Sequence, residues 1–180
     1  MRWWEGPRIV RHVNERICGV AVDGLGAAAA ILLKQHLPGR VYPNAISVGC
    51  GEGVKEMALV QTGLIGNFHL YEIAEARVEQ DQVLAERLGI ADQITFRTSN
   101  AFDIQERDSF DLVHWDHALH HMLDVNKAVT WSREMLKVGG VFYMDDFVGP
   151  SRMQWSNRTL RFACMVRRAL PERYLKNHLW

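Results

Sequence analysis

The sequence predicts an α/β fold, an open, doubly wound parallel sheet with helices on its faces. Three observations predict it. From residue 45 onward, short apolar runs rich in β-branched or aromatic residues alternate with helical patterns, the signature of strand-helix-strand units. Those helical patterns stop at glycines: Gly63, Gly89 and the Gly139-Gly140 pair. Finally, "AISVGCGEGVKEM", residues 45 to 57, sets three glycines at every second position between an apolar run and an acid-and-lysine stretch. They occupy a turn from a buried strand into a helix.

The elements follow in order. "NAISVGC" (44–50) is the first strand, and the segment from Gly53 to Thr62 is a helix stopped at Gly63. "NFHLYEI" (67–73) is the second strand, and "AEARVEQDQVLAERLG" (74–89) is a charged amphipathic helix ended by its glycine. "QITFRTS" (93–99) and "SFDLVHW" (109–115) are strands three and four. "VNKAVTWSREMLKVGG" (125–140) reads as a helix closing on the glycine pair, before strand five, "VFYMDDF" (141–147). Residues 1–44 read as a helical N-terminal cap, 45–147 as the ligand-binding core and 148–180 as a helical flank of one domain. The two flanks are where substrate-facing structure or a lid is expected.

Composition narrows the partners. Lysine plus arginine equal aspartate plus glutamate at 21 each, so no net basic field draws the chain to nucleic acid or anionic membrane. The basic stretch "MVRRALPERYLKNH" (165–178) mixes charge with apolar residues at helical spacing and reads as an amphipathic surface helix. Cys18, Cys50 and Cys164 are odd in number and lack a Cys-x-x-Cys pair, against both a disulfide framework and a cysteine zinc site. The charged N-terminus is unlike a signal peptide and "AAAAILL" (27–33) is too short to span a bilayer. A soluble, cytoplasmic protein is expected.

In an open parallel sheet ligands bind at the carboxyl ends of the strands, where strand order reverses. Gly49, Gly51 and Gly53 lie there, and without Cβ atoms they let a ligand approach the main chain. A nicotinamide-binding turn needs a small residue where this sequence has Val54, and Glu52 within the turn opposes a pyrophosphate. A cofactor without phosphates fits better. Glu72, closing strand two, brings a carboxylate to the same crevice, suited to the vicinal hydroxyls of a ribose.

With the glycine turn and that acid in order, and with "TSNAFDI" (98–104), "FDLVHWDHALHHMLD" (110–124) and "MLKVGGVFYMDDF" (135–147) following, residues 45–147 resemble the class I S-adenosylmethionine-dependent methyltransferases. The resemblance implies a Rossmann-like sheet of five parallel strands in the order 3-2-1-4-5. The sixth and seventh strands usual in the family are not found before Trp180, so an exposed sheet edge and pairing of two copies through it are expected. It also implies that Gly49, Cys50, Gly51 and Gly53 line the methionine part of the cofactor and that Glu72 holds the ribose. Ile73 would pack on the adenine, Asn100 would accept from the adenine amine, and Ala101 and Phe102 would border the ring. Asp116 and His117 would face the sulfonium and the acceptor.

His114, His117, His120 and His121 are crowded together, yet no standard ligand spacing completes a closed metal site, and none is expected. His120 and His121 read as packing and hydrogen-bonding groups beneath the cofactor. His117 has two open readings, structural or as a general base for an acceptor hydroxyl or amine. Asp116 is the other catalytic candidate, with Asp145 and Asp146 behind. Trp3, Trp4, Trp155 and Arg152 in the flanks either pack or stack on a flat or saccharide acceptor. Three functions stay open: methyl transfer to a small molecule or saccharide, a catalytically silent cofactor-binding module, and a nicotinamide oxidoreductase, which Val54 and Glu52 disfavour.

Overall fold

Strand β1 (Tyr42–Val48) buries four consecutive residues, Ala45 to Val48, because a central parallel strand is covered on both faces. A computed structural model describes residues 6–24, 26–146 and 155–171. The elements are α1 (Pro7–Cys18), α2 (Ala27–His36), β1, α3 (Val54–Gln61), β2 (Ile65–Tyr71), α4 (Glu75–Arg87), β3 (Ile94–Arg97), β4 (Phe110–Asp116), α5 (Val125–Met135), β5 (Leu136–Asp145) and α6 (Asn157–Ala169). Pro7 starts α1, where its missing N–H costs nothing, and Gly19 ends it in the left-handed conformation. Asp124 caps α5 by accepting the Lys127 N–H.

The five strands form one sheet in the order β3-β2-β1-β4-β5, with every neighbouring pair parallel. Alternation along the strands builds two cores. Tyr42, Ala45, Phe68, Leu70 and Leu112 pack with Leu33, Met57, Leu59 and Ala85 from α2, α3 and α4. Ile46, Val48, Val113 and Trp115 pack with Ala128, Trp131 and Met135 from α5. Strand order reverses between β1 and β4, so a crevice opens beyond their carboxyl ends.

One element differs from the reading of the sequence. α5 ends at Met135, and residues 136–140 already belong to β5. The glycine pair makes an irregularity inside the strand: register with β4 shifts between Phe110 and Leu112, and Gly139 has φ +76°. A Cβ on Gly140 would lie 2.9 Å from the Lys137 carbonyl oxygen, so only glycine fits there. Arg40 donates to the Gly139 carbonyl at 2.7 Å and holds the irregular segment.

The chain divides into two compact units, residues 1–146 and 147–180. The second contains α6, started by Ser156, whose hydroxyl accepts the Thr159 N–H. Among the described residues, no helix is long and apolar enough to cross a membrane, and β3 and β5 are the outer strands.

Candidate functional site

Gly49, Gly51 and Gly53 have φ of +67°, +60° and +57°. Side chains rarely tolerate that conformation, and a Cβ on Gly49 would lie 3.1 Å from Ala118 Cβ, on Gly53 3.2 Å from Leu70 Cδ1. The turn is fastened to β2 twice. Gly49 N–H donates to the Tyr71 carbonyl at 2.7 Å, and Gly51 N–H donates to Glu72 Oε2 at 3.0 Å. The other oxygen of Glu72, which is buried, accepts from Ala74 N–H at 3.0 Å. Glu72 therefore shapes the turn as well as lying beside it.

Carboxylates dominate the surroundings. Burial first, then the charges of Glu52, Glu72 and Glu56, against the opposing Arg77, push buried Asp81 up to about 6. Burial and then Glu56, Glu72 and Asp81 push the Cys50 thiol up, so it is a thiol and not a thiolate nucleophile. Such a field opposes a phosphate and favours a cation.

Beyond β2, Ile73 is 79% exposed, an apolar side chain with nothing over it. Asn100 caps the short 3-10 turn Ala101–Asp103: its Oδ1 accepts from Phe102 N–H at 3.1 Å and its Nδ2 donates to Asp103 at 3.3 Å. Its amide oxygen is thus already engaged locally. Ala101 is buried, and the Phe102 ring meets Trp131 edge-on at 5.1 Å.

Opposite the turn, Asp116 and Asp145 end β4 and β5 as direct register partners. Lys55 Nζ lies 2.5 Å from Asp116 Oδ1 and 3.6 Å from Asp145 Oδ2. His117 Nδ1 lies 2.9 Å from the same Asp116 oxygen. Burial alone would raise the Asp116 carboxyl, but the Lys55 charge and hydrogen bond, the His117 hydrogen bond and His114 outweigh it and hold the group below its ordinary value. His117 carries φ +52°, a costly conformation for a non-glycine residue, and its N–H donates to the Asp145 carbonyl at 2.8 Å. Ligand atoms of Asp116, His117 and Asp145 converge within 4.8 Å, but it is the Lys55 ammonium that meets both carboxylates, and its charge opposes a metal ion there.

The other histidines serve elsewhere. His114 is buried, 3.2 Å from Glu56 Oε1, and stacks on Tyr143; Glu56 also accepts from Ser47 Oγ at 2.7 Å. His120 Nδ1 bonds Asp146, whose second oxygen accepts the Leu119 N–H at 2.6 Å and the His120 N–H at 3.3 Å. His121 lies against His120 with ring centroids 3.9 Å apart. Trp155 is half exposed, while Trp3, Trp4 and Arg152 lie outside the described residues. Lys55 is the residue that reading the sequence missed. A lysine in the first turn of a helix opposes the helix dipole, and that conflict signals an acidic partner.

The methyltransferase-domain family matches residues 43–176. The 27-O-demethylrifamycin SV methyltransferase of Amycolatopsis mediterranei is 28% identical over 115 residues, covering 62% of this chain and 41% of that protein. The ribosomal RNA large subunit methyltransferase G of Pectobacterium atrosepticum is 26% identical over 148 residues, covering 76% of this chain and 38% of that protein. The match therefore spans about two fifths of the length of these relatives. A solved S-adenosylmethionine-dependent methyltransferase from Geobacter sulfurreducens, in complex with S-adenosyl-L-homocysteine, superposes with a TM-score of 0.54 at 19% identity, covering 64% of this chain and 46% of that one. With the sheet order, the glycine turn, the acid ending β2 and a match over residues 43–176, the chain belongs to the class I S-adenosylmethionine-dependent methyltransferase family.

Proposed function

We propose that the chain binds S-adenosylmethionine against the glycine turn and transfers its methyl group to a hydroxyl or amine of a small molecule or saccharide. One observation carries the cofactor: a left-handed glycine turn is hydrogen-bonded to buried Glu72 and ringed by the carboxylates of Glu52, Glu56 and Asp81. This set of carboxylate acceptors suits a ligand with a sulfonium, an ammonium and ribose hydroxyls, and opposes the pyrophosphate of a nicotinamide dinucleotide. In this reading Gly49, Cys50, Gly51 and Gly53 line the methionine portion, Glu72 takes the ribose, and Ile73, Asn100, Ala101 and Phe102 border the adenine.

When bound, the cofactor supplies an electrophilic methyl carbon, and the sulfur keeps the bonding pair as S-adenosylhomocysteine forms. The residues opposite supply position and a proton acceptor. Asp116, ionised, accepts the Nδ1–H of His117, which leaves Nε2 with its lone pair to take the proton of the acceptor group as the new bond to carbon forms. His117 is 62% exposed and returns that proton to water. Holding the acceptor in line with a good leaving group supplies much of the rate. A small-molecule acceptor is supported by the balanced charge of the chain; the match to a ribosomal RNA methyltransferase supports nucleic acid as the second reading.

The test is label transfer from methyl-labelled cofactor to pooled sugars, phenols, macrolides and amines, with RNA as a separate arm. Label in a small molecule supports the proposal, and label in RNA alone moves the acceptor to the second reading. Binding of S-adenosylhomocysteine with no label in any pool would leave a silent cofactor-binding module.

A further inference from the structure

Lys55 connects the two sides of the crevice. It is the second residue of α3, the helix that the glycine turn begins, and its ammonium reaches the ends of β4 and β5. Asp116 and Asp145 leave the sheet side by side, and two ionised acids in that register repel each other and both attract a proton to a neighbouring imidazole. Lys55 stands between them with its side chain 21% exposed, so its charge acts with little screening by water. A Cβ on Gly26 would lie 3.4 Å from Lys55 Cβ, so the lead-in to α2 passes close to the base of the lysine side chain.

The neighbouring residue holds the geometry from beneath. Glu56, buried, bonds Ser47 on β1 and His114 on β4, and His114 stacks on Tyr143 of β5. Ser47, His114 and Tyr143 are register partners two steps below the row of Asp116 and Asp145, with Trp115 and Met144 paired between. Two successive residues of α3 thus grip two rows of the sheet that are two register steps apart.

His117 shares one oxygen of Asp116 with Lys55. The charged groups facing His117 are Asp116 on its own strand, Asp145 on β5 and Lys55 on α3; Asp146 is engaged by His120 and by backbone N–H groups. Without the ammonium, two carboxylates would act on the imidazole unopposed and favour its doubly protonated form, which has no lone pair to accept a proton.

We infer that Lys55 is a positioning residue: bridging Asp116 and Asp145, it balances the two carboxylates beside His117 and keeps that imidazole a neutral proton acceptor, under the control of the helix that the cofactor turn starts. This rests on the reading of His117 as the base for methyl transfer.

The experiment is long-range proton–nitrogen NMR of the full chain labelled at histidine, with His117 assigned from His117→Gln, and titration of each variant with S-adenosylhomocysteine. In Lys55→Met the ratio of doubly protonated to neutral His117 at neutral pH rises by about threefold or more, the effect of half a unit in titration midpoint. Lys55→Arg restores the wild-type fraction, since it keeps the charge. Asp145→Asn shifts the fraction the opposite way, an arm that does not depend on Lys55→Met folding. A structural role alone would move none of these in that pattern. An unchanged fraction in folded Lys55→Met, an unrestored one in Lys55→Arg, or a rise in Asp145→Asn overturns the inference. Failure of every variant and the wild type to bind S-adenosylhomocysteine would instead remove the methyl-transfer reading, with the spectra still reporting on Lys55.

Discussion

The two walls of the crevice are held by different forces. On the proposed cofactor side the shape is a backbone property: three left-handed glycines in five residues, fixed by main-chain donors to Tyr71 and to Glu72. On the proposed acceptor side the shape is a charge property, since Lys55, Asp116, His117 and Asp145 are held by ion pairs and one shared oxygen. A backbone turn tolerates little substitution and little motion, which suits a cofactor that every turnover uses. An ion-paired cluster can be retuned by single side chains.

Substitutions sharpen this comparison by separating affinity from turnover. The largest effect is expected for His117→Gln, which removes the proposed base and lowers turnover by about a hundredfold or more, with cofactor affinity within about twofold. Equal loss of both in steady-state kinetics and calorimetry would assign His117 a structural role. His120→Gln is the matched control, because its bonds to Asp146 read as support for the turn after β4. A larger loss of turnover there than at His117 would transfer the base to His120.

Next is Glu72→Ala. It removes the acceptor of the Gly51 N–H and the proposed ribose contact, and weakens S-adenosylhomocysteine by about ten- to hundredfold, or about 1.4 to 2.7 kcal/mol. Unchanged affinity in a folded protein would break the claim that the cofactor wall is built on this acid. Gly49→Ala strains a residue at φ +67° and presses on Ala118, costing about 1 to 2 kcal/mol in a urea unfolding midpoint.

The smallest effect concerns Asp81. Its folded value is raised to about 6, above that of an unfolded aspartate, so the folded chain holds this proton more tightly than the unfolded one. Its contribution is therefore favourable at pH 4 and is lost as pH rises through 6. Asp81→Asn is expected to gain about 1 kcal/mol over wild type at pH 7, a gain that shrinks toward pH 4. A gain that grows as pH falls would contradict the assignment.

The same contrast explains what the sequence made legible. The cofactor wall lies in contiguous motifs, so alternating glycines after an apolar strand and an acid ending the next strand are readable along the chain. The sheet order came with the family resemblance that those motifs carry. The acceptor wall is assembled from residues 55, 116, 117 and 145, and no spacing along the chain announces that Lys55 and Asp116 touch across 61 positions. The end of α5 was misread because glycine pairs stop helices more often than they kink strands, whereas here Gly140 packs against Lys137 and Leu136 inside β5.

Calorimetric titration of the folded protein with S-adenosylhomocysteine and with NAD decides whether the carboxylate-lined glycine turn seats a sulfonium nucleoside and rejects a pyrophosphate. Saturable binding of S-adenosylhomocysteine, weakened in Glu72→Ala, and no binding of NAD are expected. Binding of NAD, or of neither ligand by the folded protein, would contradict this reading of the turn.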